Sequence, residues 1–256
     1  MVILTAGMLP FFIKNAELAA GSMMPIIIFM ILSLVCLWIF FILNYRLLSL
    51  LEKEDWPALA YYLEHKIFTK NRYSNRNVRL LVSSYMVISD YSSVLKLETN
   101  ALKAKPSTVR KNHLIFGTAR ILNGNYGEAA VFFNSFLTKI KPKHNEWTYF
   151  YYGFSHLLNS SFDLAEPELI KLAKTSNDAL ITGLSAYFLE NNILKRSKQI
   201  EDCKNAAETG KFRVIKTLKN RKNWEKEAER TQTDIHITII RKYINEAGNW
   251  LFGEII

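Results

Sequence analysis

The sequence predicts an all-α protein, in which an N-terminal transmembrane helix continues into an α-solenoid of about three to four helix pairs, closed by charged and amphipathic C-terminal helices. Two observations carry this prediction. Aromatic residues that each open a helix-like run recur at steps of 35, 35 and 36 residues: Trp56, Tyr91, Tyr126 and Phe162. A period in the thirties is typical of stacked helix pairs. In addition, the run from Pro25 to Leu43 is apolar apart from Ser33.

The length and composition allow one full domain and a shorter appendage, since the chain has 256 residues of which 49% are hydrophobic. We interpret residues 1–23 as an apolar N-terminal segment, 24–44 as the transmembrane helix, 45–190 as helical repeats, and 191–256 as basic helices ending in a capping helix. The two cysteines, Cys36 and Cys203, fall in the span and in a distant charged helix, so no intramolecular disulfide is predicted.

The apolar run has 19 residues, or roughly 28 Å at ~1.5 Å per residue, which is close to the hydrocarbon thickness of a bilayer. A membrane anchor, a cleaved signal peptide and a buried core helix are the three interpretations. Leu43 to Arg46 offers no small-residue cleavage site, and the run has no polar face. The sequence therefore favours a single-pass anchor in the inner membrane. Lys14 precedes the run while Arg46 and Lys53 follow it, which favours a cytoplasmic main part.

The clearest repeat unit, residues 110–142, has small and aromatic residues at set offsets. We expect Gly117 to let two helices approach closely, and Gly124 and Asn125 to adopt the positive backbone angle of a tight turn. Ala129 is the small residue at a helix crossing, and Phe133 is expected to pack into the next unit. The unit that follows holds its equivalents at these positions: Gly153, Phe162 and Ala165.

This pattern resembles the tetratricopeptide repeat, a helix-turn-helix unit of 34 residues. The sequence departs from the family at several positions. Arg120 and His156 stand where a tyrosine is usual, and Glu98 stands where a large apolar residue is usual. Pro167 falls inside a second helix, where we expect a kink or a late helix start because proline lacks the helical N–H donor.

The resemblance implies that the first helix of each unit lines a groove that binds partner peptides. By position, the partner-binding residues are Arg76, Arg79, Ser83, Lys111, Leu114, Thr118, Trp147, Phe150, Phe154 and Leu157. This groove runs from a basic end to an aromatic end, which predicts a partner with an acidic segment beside an apolar one. The alternative is that Trp147 and Phe150 pack against C-terminal helices folded back into the groove.

The C-terminal part has a different composition. Leu180 to Leu189 looks like a further first helix, but no good partner helix follows it in the sequence. Lys195 to Arg230 holds twelve basic and six acidic residues, out of a net charge of +10 for the whole chain. This basic stretch is interpreted as a solvated helix face, or as a site for acidic partner surfaces or anionic lipid. A membrane tether argues against nucleic acid. The last amphipathic helix has these apolar residues: Ile237, Ile240, Ile244, Ala247 and Leu251.

No pattern in the sequence predicts catalysis, a metal site or a cofactor. The five histidines are scattered without a second ligand at metal-binding spacing, and no phosphate loop or nucleophile elbow is present. An enzyme whose site is assembled from distant residues remains an alternative.

The predicted function is therefore that of a non-enzymatic, membrane-anchored scaffold that mediates protein–protein interactions in a membrane-associated complex. The alternative is a targeting receptor or assembly chaperone that binds client peptides transiently. The architecture also resembles the collar proteins of the spirochaetal periplasmic flagellar motor. That resemblance implies a soluble part in the periplasm, against the local charge count.

Overall fold

The computed structural model describes residues 23–138, 145–231 and 235–253, so the predicted apolar segment lies, up to residue 22, outside the described residues. Within the described residues every regular element is helical, which confirms the all-α prediction. Two π-helical turns, His65–Thr69 and Leu189–Ile193, extend the helices that end at Glu64 and Phe188. The helices are α1 Met23–Glu52, α2 Trp56–Glu64, α3 Asn75–Val87, α4 Tyr91–Ala104, α5 Pro106–Lys111, α6 His113–Leu122, α7 Tyr126–Leu137, α8 Glu146–Leu158, α9 Phe162–Thr175, α10 Ala179–Phe188, α11 Ile200–Leu218, α12 Arg221–Thr231, α13 Ile235–Thr238 and α14 Arg241–Phe252.

The chain divides into two compact units, Met1–Leu59 and Ala60–Ile256. In the first unit, α1 is long and apolar enough to cross a membrane, and Trp38 at its centre is 69% exposed. This length and composition suit a single-pass anchor and a signal sequence alike. The helix does not end with the apolar run, because it continues without interruption to Glu52.

Four turns of the same form precede the four recurring aromatic residues Trp56, Tyr91, Tyr126 and Phe162. Each aromatic residue is the first residue of its helix and is half-buried. The residue two positions earlier has a positive φ of 52°, 58°, 78° or 57°, and these residues are Glu54, Ser89, Gly124 and Ser160. In each turn this residue donates its N–H to the carbonyl three residues back (3.0–3.2 Å), and the next residue donates to the carbonyl five residues back (2.8–3.1 Å). This is the Schellman pattern that ends a helix.

The turn at Gly124 corrects one expectation, because Asn125 has a φ of −85° and only the glycine is left-handed. The two helices that this turn joins, α6 and α7, pack tightly against each other. A methyl group at Gly117 would overlap the ring of Phe133, with Cε2 2.8 Å away and Cζ nearer still. The Phe133 ring also stacks on Tyr151 of the following helix α8, at 5.5 Å between centroids. A single phenylalanine thus joins two successive helix pairs.

The equivalent small residues of these units lie at helix contacts. Ala129 and Ala165 are fully buried. A Cβ atom at Gly153 would lie 3.4 Å from Cβ of Glu168, which is an ordinary close contact. Helix α9 begins at Phe162 with Pro167 inside it, so of the two expected outcomes, a kink or a late helix start, the late start is wrong. The proline lies at an exposed position, where the missing N–H costs one helical hydrogen bond.

Helix α10 does have a partner, and our expectation that none follows was wrong. The partner is α11, which packs along α10 and α9. Its buried face consists of small residues, namely Cys203, Ala206, Ala207 and Gly210, with Val214. A Cβ atom at Gly210 would lie 2.8 Å from Cβ of Ala186 in α10. Because this interface depends on close backbone approach rather than on large side chains, the sequence pattern concealed it.

The C-terminal helices α12 and α14 pack on α10 around one tryptophan. Trp224 of α12 is 1% exposed and donates its indole N–H to the carbonyl of Ile244 at 3.0 Å. A Cβ atom would meet the Trp224 ring at 2.7 Å from Gly183 and at 2.9 Å from Gly248. All five apolar residues of the predicted C-terminal amphipathic pattern are buried, but they are shared between α13, α14 and the turn that joins them.

Candidate partner-binding site

The ten residues predicted to bind a partner lie on three helices that contact one another in order, α3, α6 and α8, except that Lys111 ends α5. Their exposure differs along the series. The exposed residues are Arg76, Arg79 and Lys111, the half-buried ones are Ser83, Leu114 and Trp147, and the buried ones are Thr118, Phe150, Phe154 and Leu157. The basic end therefore faces solvent, whereas most of the aromatic end does not.

The aromatic end is covered by the protein's own C-terminal segment. The Trp147 ring lies 5.3 Å from the His236 ring, between centroids. The hydroxyl of Tyr151 donates to the backbone carbonyl of His236 at 2.7 Å, and Phe154 meets Tyr243 of α14 edge to face at 5.4 Å. The predicted open aromatic groove is thus wrong for this structure. The alternative, in which the C-terminal helices fill it, describes the geometry of Trp147.

Phe150 neither lines an open groove nor packs against the C-terminal helices. It is fully buried and stacks on Phe154 at 5.8 Å and on Phe188 of α10 at 6.3 Å. Each of these rings removes a large apolar area from water, which stabilises the folded chain by roughly 1.5–3 kcal/mol per side chain. These aromatic residues therefore hold successive helices together and do not present an apolar surface to a partner.

Polar side chains join helices that lie one repeat apart. His113 Nε2 lies 2.7 Å from the hydroxyl of Thr148, and His113 Nδ1 lies 2.9 Å from the carbonyl oxygen of Arg110. A carbonyl can only accept, so Nδ1 carries the proton and Nε2 accepts from the threonine. Burial lowers the pKa of His113, although the Arg110 carbonyl partly opposes that shift. Burial thus disfavours the charged ring, and His113 serves as a structural link between α6 and α8.

Two further bonds of this kind join the preceding units. Thr108 donates its hydroxyl to the carbonyl of Tyr73 at 3.1 Å, and the side-chain amide of Asn112 donates to Oδ1 of Asn75 at 2.6 Å. These partners are 35 and 37 residues apart, close to the spacing of 35 or 36 residues between the recurring aromatic residues. Sequence reasoning missed them, since Thr, Asn and His are common in loops and on surfaces.

Arg120 and Glu98, which both differ from the tetratricopeptide pattern, form an ion pair with each other. Arg120 Nη1 lies 2.7 Å from Oε2 of Glu98, and their side chains are only 14% and 7% exposed. The same guanidinium donates to the carbonyl of Phe116 at 3.1 Å and lies 4.2 Å from the centroid of the Phe132 ring. A buried ion pair thus links α4 and α6.

Part of the basic stretch is used within the fold. Arg213 donates to the carbonyls of Ala173 (2.9 Å) and Ser176 (2.6 Å) at the C-terminal end of α9, where a cation also complements the helix dipole. The ammonium group of Lys211 lies 4.5 Å from the centroid of the Trp250 ring. The lysines of the run Lys211–Lys222 that remain exposed are Lys216, Lys219 and Lys222.

Among residues 23–138, 145–231 and 235–253, no group of three or more His, Cys, Asp or Glu side chains is placed to hold a metal ion. His113 and His236 are buried at helix contacts, and His156 packs edge to face on Tyr152 at 4.7 Å. Burial raises the pKa of the Cys203 thiol to about 11, and nearby carboxylates add to that shift, so this thiol is protonated at neutral pH.

Comparison with known proteins identifies relatives in Treponema. A family model described as "Uncharacterised Treponema protein" matches residues 93–253. A protein of Treponema pallidum (strain Nichols), described as "Uncharacterized protein", is 30% identical over 221 residues, which cover 83% of this chain and 70% of that protein. No solved structure matches the chain.

Proposed function

The chain belongs to this Treponema family, and we propose that it is a non-enzymatic, membrane-anchored scaffold that holds other proteins of a larger assembly beside the bilayer. Its helix pairs act as a tetratricopeptide-like solenoid, and its N-terminal helix as a single-pass anchor. The observation that carries the proposal is the repeated turn, which places four half-buried aromatic residues in one structural context at steps of 35, 35 and 36. Arrays of such pairs serve mainly as binding surfaces.

The exposed basic end is the proposed docking surface, which we define by Arg76, Arg79 and Lys111. These side chains remain exposed while the aromatic end is occupied by the chain itself. Exposed guanidinium and ammonium groups steer acidic partners and set the rate of association more than the affinity. We therefore infer that partners present an acidic segment to this surface.

Copurification tests the scaffold proposal. The full-length protein, tagged at its C-terminus and extracted in mild detergent, is expected to retain the same partners at fixed stoichiometry. Replacing Arg79 and Lys111 by glutamate is expected to lower the yield of those partners, whereas Lys219→Glu and Lys222→Glu together change the charge equally at exposed positions outside the docking surface. Loss of partners in both variants, or no stable partner with the unaltered protein, would contradict the proposal.

A targeting receptor or assembly chaperone is the second candidate, favoured by the exposed basic surface beside a self-covered aromatic one. A receptor exchanges its clients, so partners labelled in a pulse would be replaced during a chase by unlabelled ones. A scaffold would keep its labelled partners through the same chase.

We also propose the finer assignment to the collar of the periplasmic flagellar motor. The relative from Treponema pallidum supports it, because Treponema is a genus of spirochaetes. The assignment requires a periplasmic C-terminus and motor proteins among the copurified partners. A C-terminal tag that proteases reach only after the inner membrane is permeabilised would rule it out.

A further inference from the structure

A cleft of about 540 Å³ lies at the start of α3, within the unit Ala60–Ile256. It is formed by the π-helical turn after α2, the loop before α3, the first turn of α3 and the end of α4. Its volume is within the range of small-molecule sites, roughly 300–1,000 Å³. Four basic residues line it, namely Lys66, Arg72, Arg76 and Lys105.

The charge of this cleft is not balanced by the protein. No aspartate or glutamate lines it. Within the part of the chain that the structure describes, none of the four basic side chains forms an ion pair, and the ammonium group of Lys66 lies 5.7 Å from the centroid of the Tyr62 ring. Four like charges around one cleft repel one another, so a bound anion would stabilise the arrangement.

The polar lining adds hydrogen-bond donors. Ser74 caps α3 by accepting the N–H of Asn77 at 3.2 Å, which leaves its hydroxyl hydrogen free to donate. The cleft also contains the N-terminal end of this helix of 13 residues, whose partial positive charge favours anions. The guanidinium groups of Arg72 and Arg76 are exposed and can bind oxyanions through two parallel hydrogen bonds.

We propose that this cleft binds a phosphate-bearing anion. A phosphate group carries about −1.5 to −2 charges at neutral pH, so two such groups match the four cations within a small volume. An acidic peptide would need four neighbouring carboxylates to reach the same charge. The phosphate belongs either to a free phosphorylated compound or to a lipid headgroup. This inference shares Arg76 with the proposed docking surface but is tested separately, because the copurification variants alter Arg79 and Lys111, which do not line the cleft.

Titration of the full-length protein with inorganic pyrophosphate, in an uncharged detergent, tests the inference by calorimetry. Saturable binding is expected, and the double variant Arg72→Gln with Arg76→Gln is expected to bind at least tenfold more weakly. The matched control is Lys103→Gln with Lys216→Gln, which removes the same charge at exposed positions outside the cleft and is expected to change the affinity less than twofold. Circular dichroism establishes that both variants fold. Lys105→Gln alone, at an exposed cleft position, is expected to weaken binding at least threefold.

Competition identifies the source of the phosphate. Displacement of pyrophosphate by dihexanoyl phosphatidic acid at lower concentration than free phosphate, with no effect of dihexanoyl phosphatidylcholine, indicates a lipid headgroup. The reverse order indicates a free phosphorylated compound. Three results overturn the inference: no saturable binding of pyrophosphate, equal weakening by the cleft and control variants, or tighter binding of hexaglutamate than of pyrophosphate. The last result would assign the cleft to an acidic protein segment.

Discussion

Removing the carboxylate of Glu98 is expected to lower the free energy of unfolding by about 3–5 kcal/mol, because it leaves the charge of Arg120 buried without a counter-charge. The two side chains are 7% and 14% exposed, and their ion pair is 2.7 Å long. Arg120 cannot easily turn towards water, since it also donates to Phe116 and lies over the ring of Phe132. Because the carbonyl of Phe116 and the ring of Phe132 still stabilise the charge of Arg120, we expect a loss in the lower part of that range for Glu98→Ala.

The measurement is urea unfolding of the full-length protein in detergent, followed by far-ultraviolet circular dichroism. The matched control is Asp202→Ala, which breaks the pair between Lys174 and Asp202. That pair is 3.0 Å long, but its side chains are 35% and 58% exposed. Exposed ion pairs contribute about 0–1 kcal/mol, so the control is expected to unfold almost as the unaltered protein does.

The double variant Glu98→Leu with Arg120→Tyr tests the register of the repeats as well. It places at both positions the residue types of the tetratricopeptide pattern, and buried ion pairs replaced by apolar groups are often neutral or stabilising. We expect recovery to within about 1 kcal/mol of the original stability. The reasoning is refuted if Glu98→Ala costs no more than Asp202→Ala, or if the double variant is as unstable as Glu98→Ala.

Three further predictions use the same unfolding assay. Gly117→Ala is expected to cost about 1–3 kcal/mol through overlap with a buried ring, whereas Gly127→Ala, whose nearest neighbour lies 4.0 Å away, should be neutral or stabilising; equal effects would contradict the close approach. Burial lowers the pKa of His113, so protons bind the unfolded chain first, near pH 6.5, and the unfolding free energy should fall as the pH drops below that value. His113→Gln should reduce this fall, and the exposed control His65→Gln should reduce it less. Ser160→Gly should raise stability by up to about 1 kcal/mol, because the φ of 57° is strained for serine; a lower midpoint would count against the turn.

The repeat could be predicted because its signal is aromatic and periodic. Large aromatic side chains are usually placed by packing, so four of them at nearly constant spacing indicate one recurring environment. Gly124 gave a further signal, since glycine is the common residue for a left-handed backbone. The equivalent serines, Ser89 and Ser160, gave none, because serine rarely adopts that conformation and the turn there is imposed by the flanking helices.

The candidate site was harder to predict for two physical reasons. The composition of α8 identifies Trp147 and Phe154 as apolar but not what covers them, and an apolar face is equally suited to a partner and to a distant part of the same chain. The cleft at Arg72 also has no local signature. Lys66, Arg72 and Arg76 lie close in sequence but without a recognised spacing, and Lys105 joins them only through the packing of α3 against α4.

The four turns at Glu54, Ser89, Gly124 and Ser160 have different side chains but the same main-chain hydrogen bonds. A turn of this kind can be followed by helices of different sequence, since its geometry is set by backbone atoms and by the aromatic residue two positions later. A duplication or deletion of about 35 residues, from one of these turns to the next, would leave every remaining turn intact. Shorter and longer versions of the molecule can therefore arise in a single genetic event, without a new loop having to evolve.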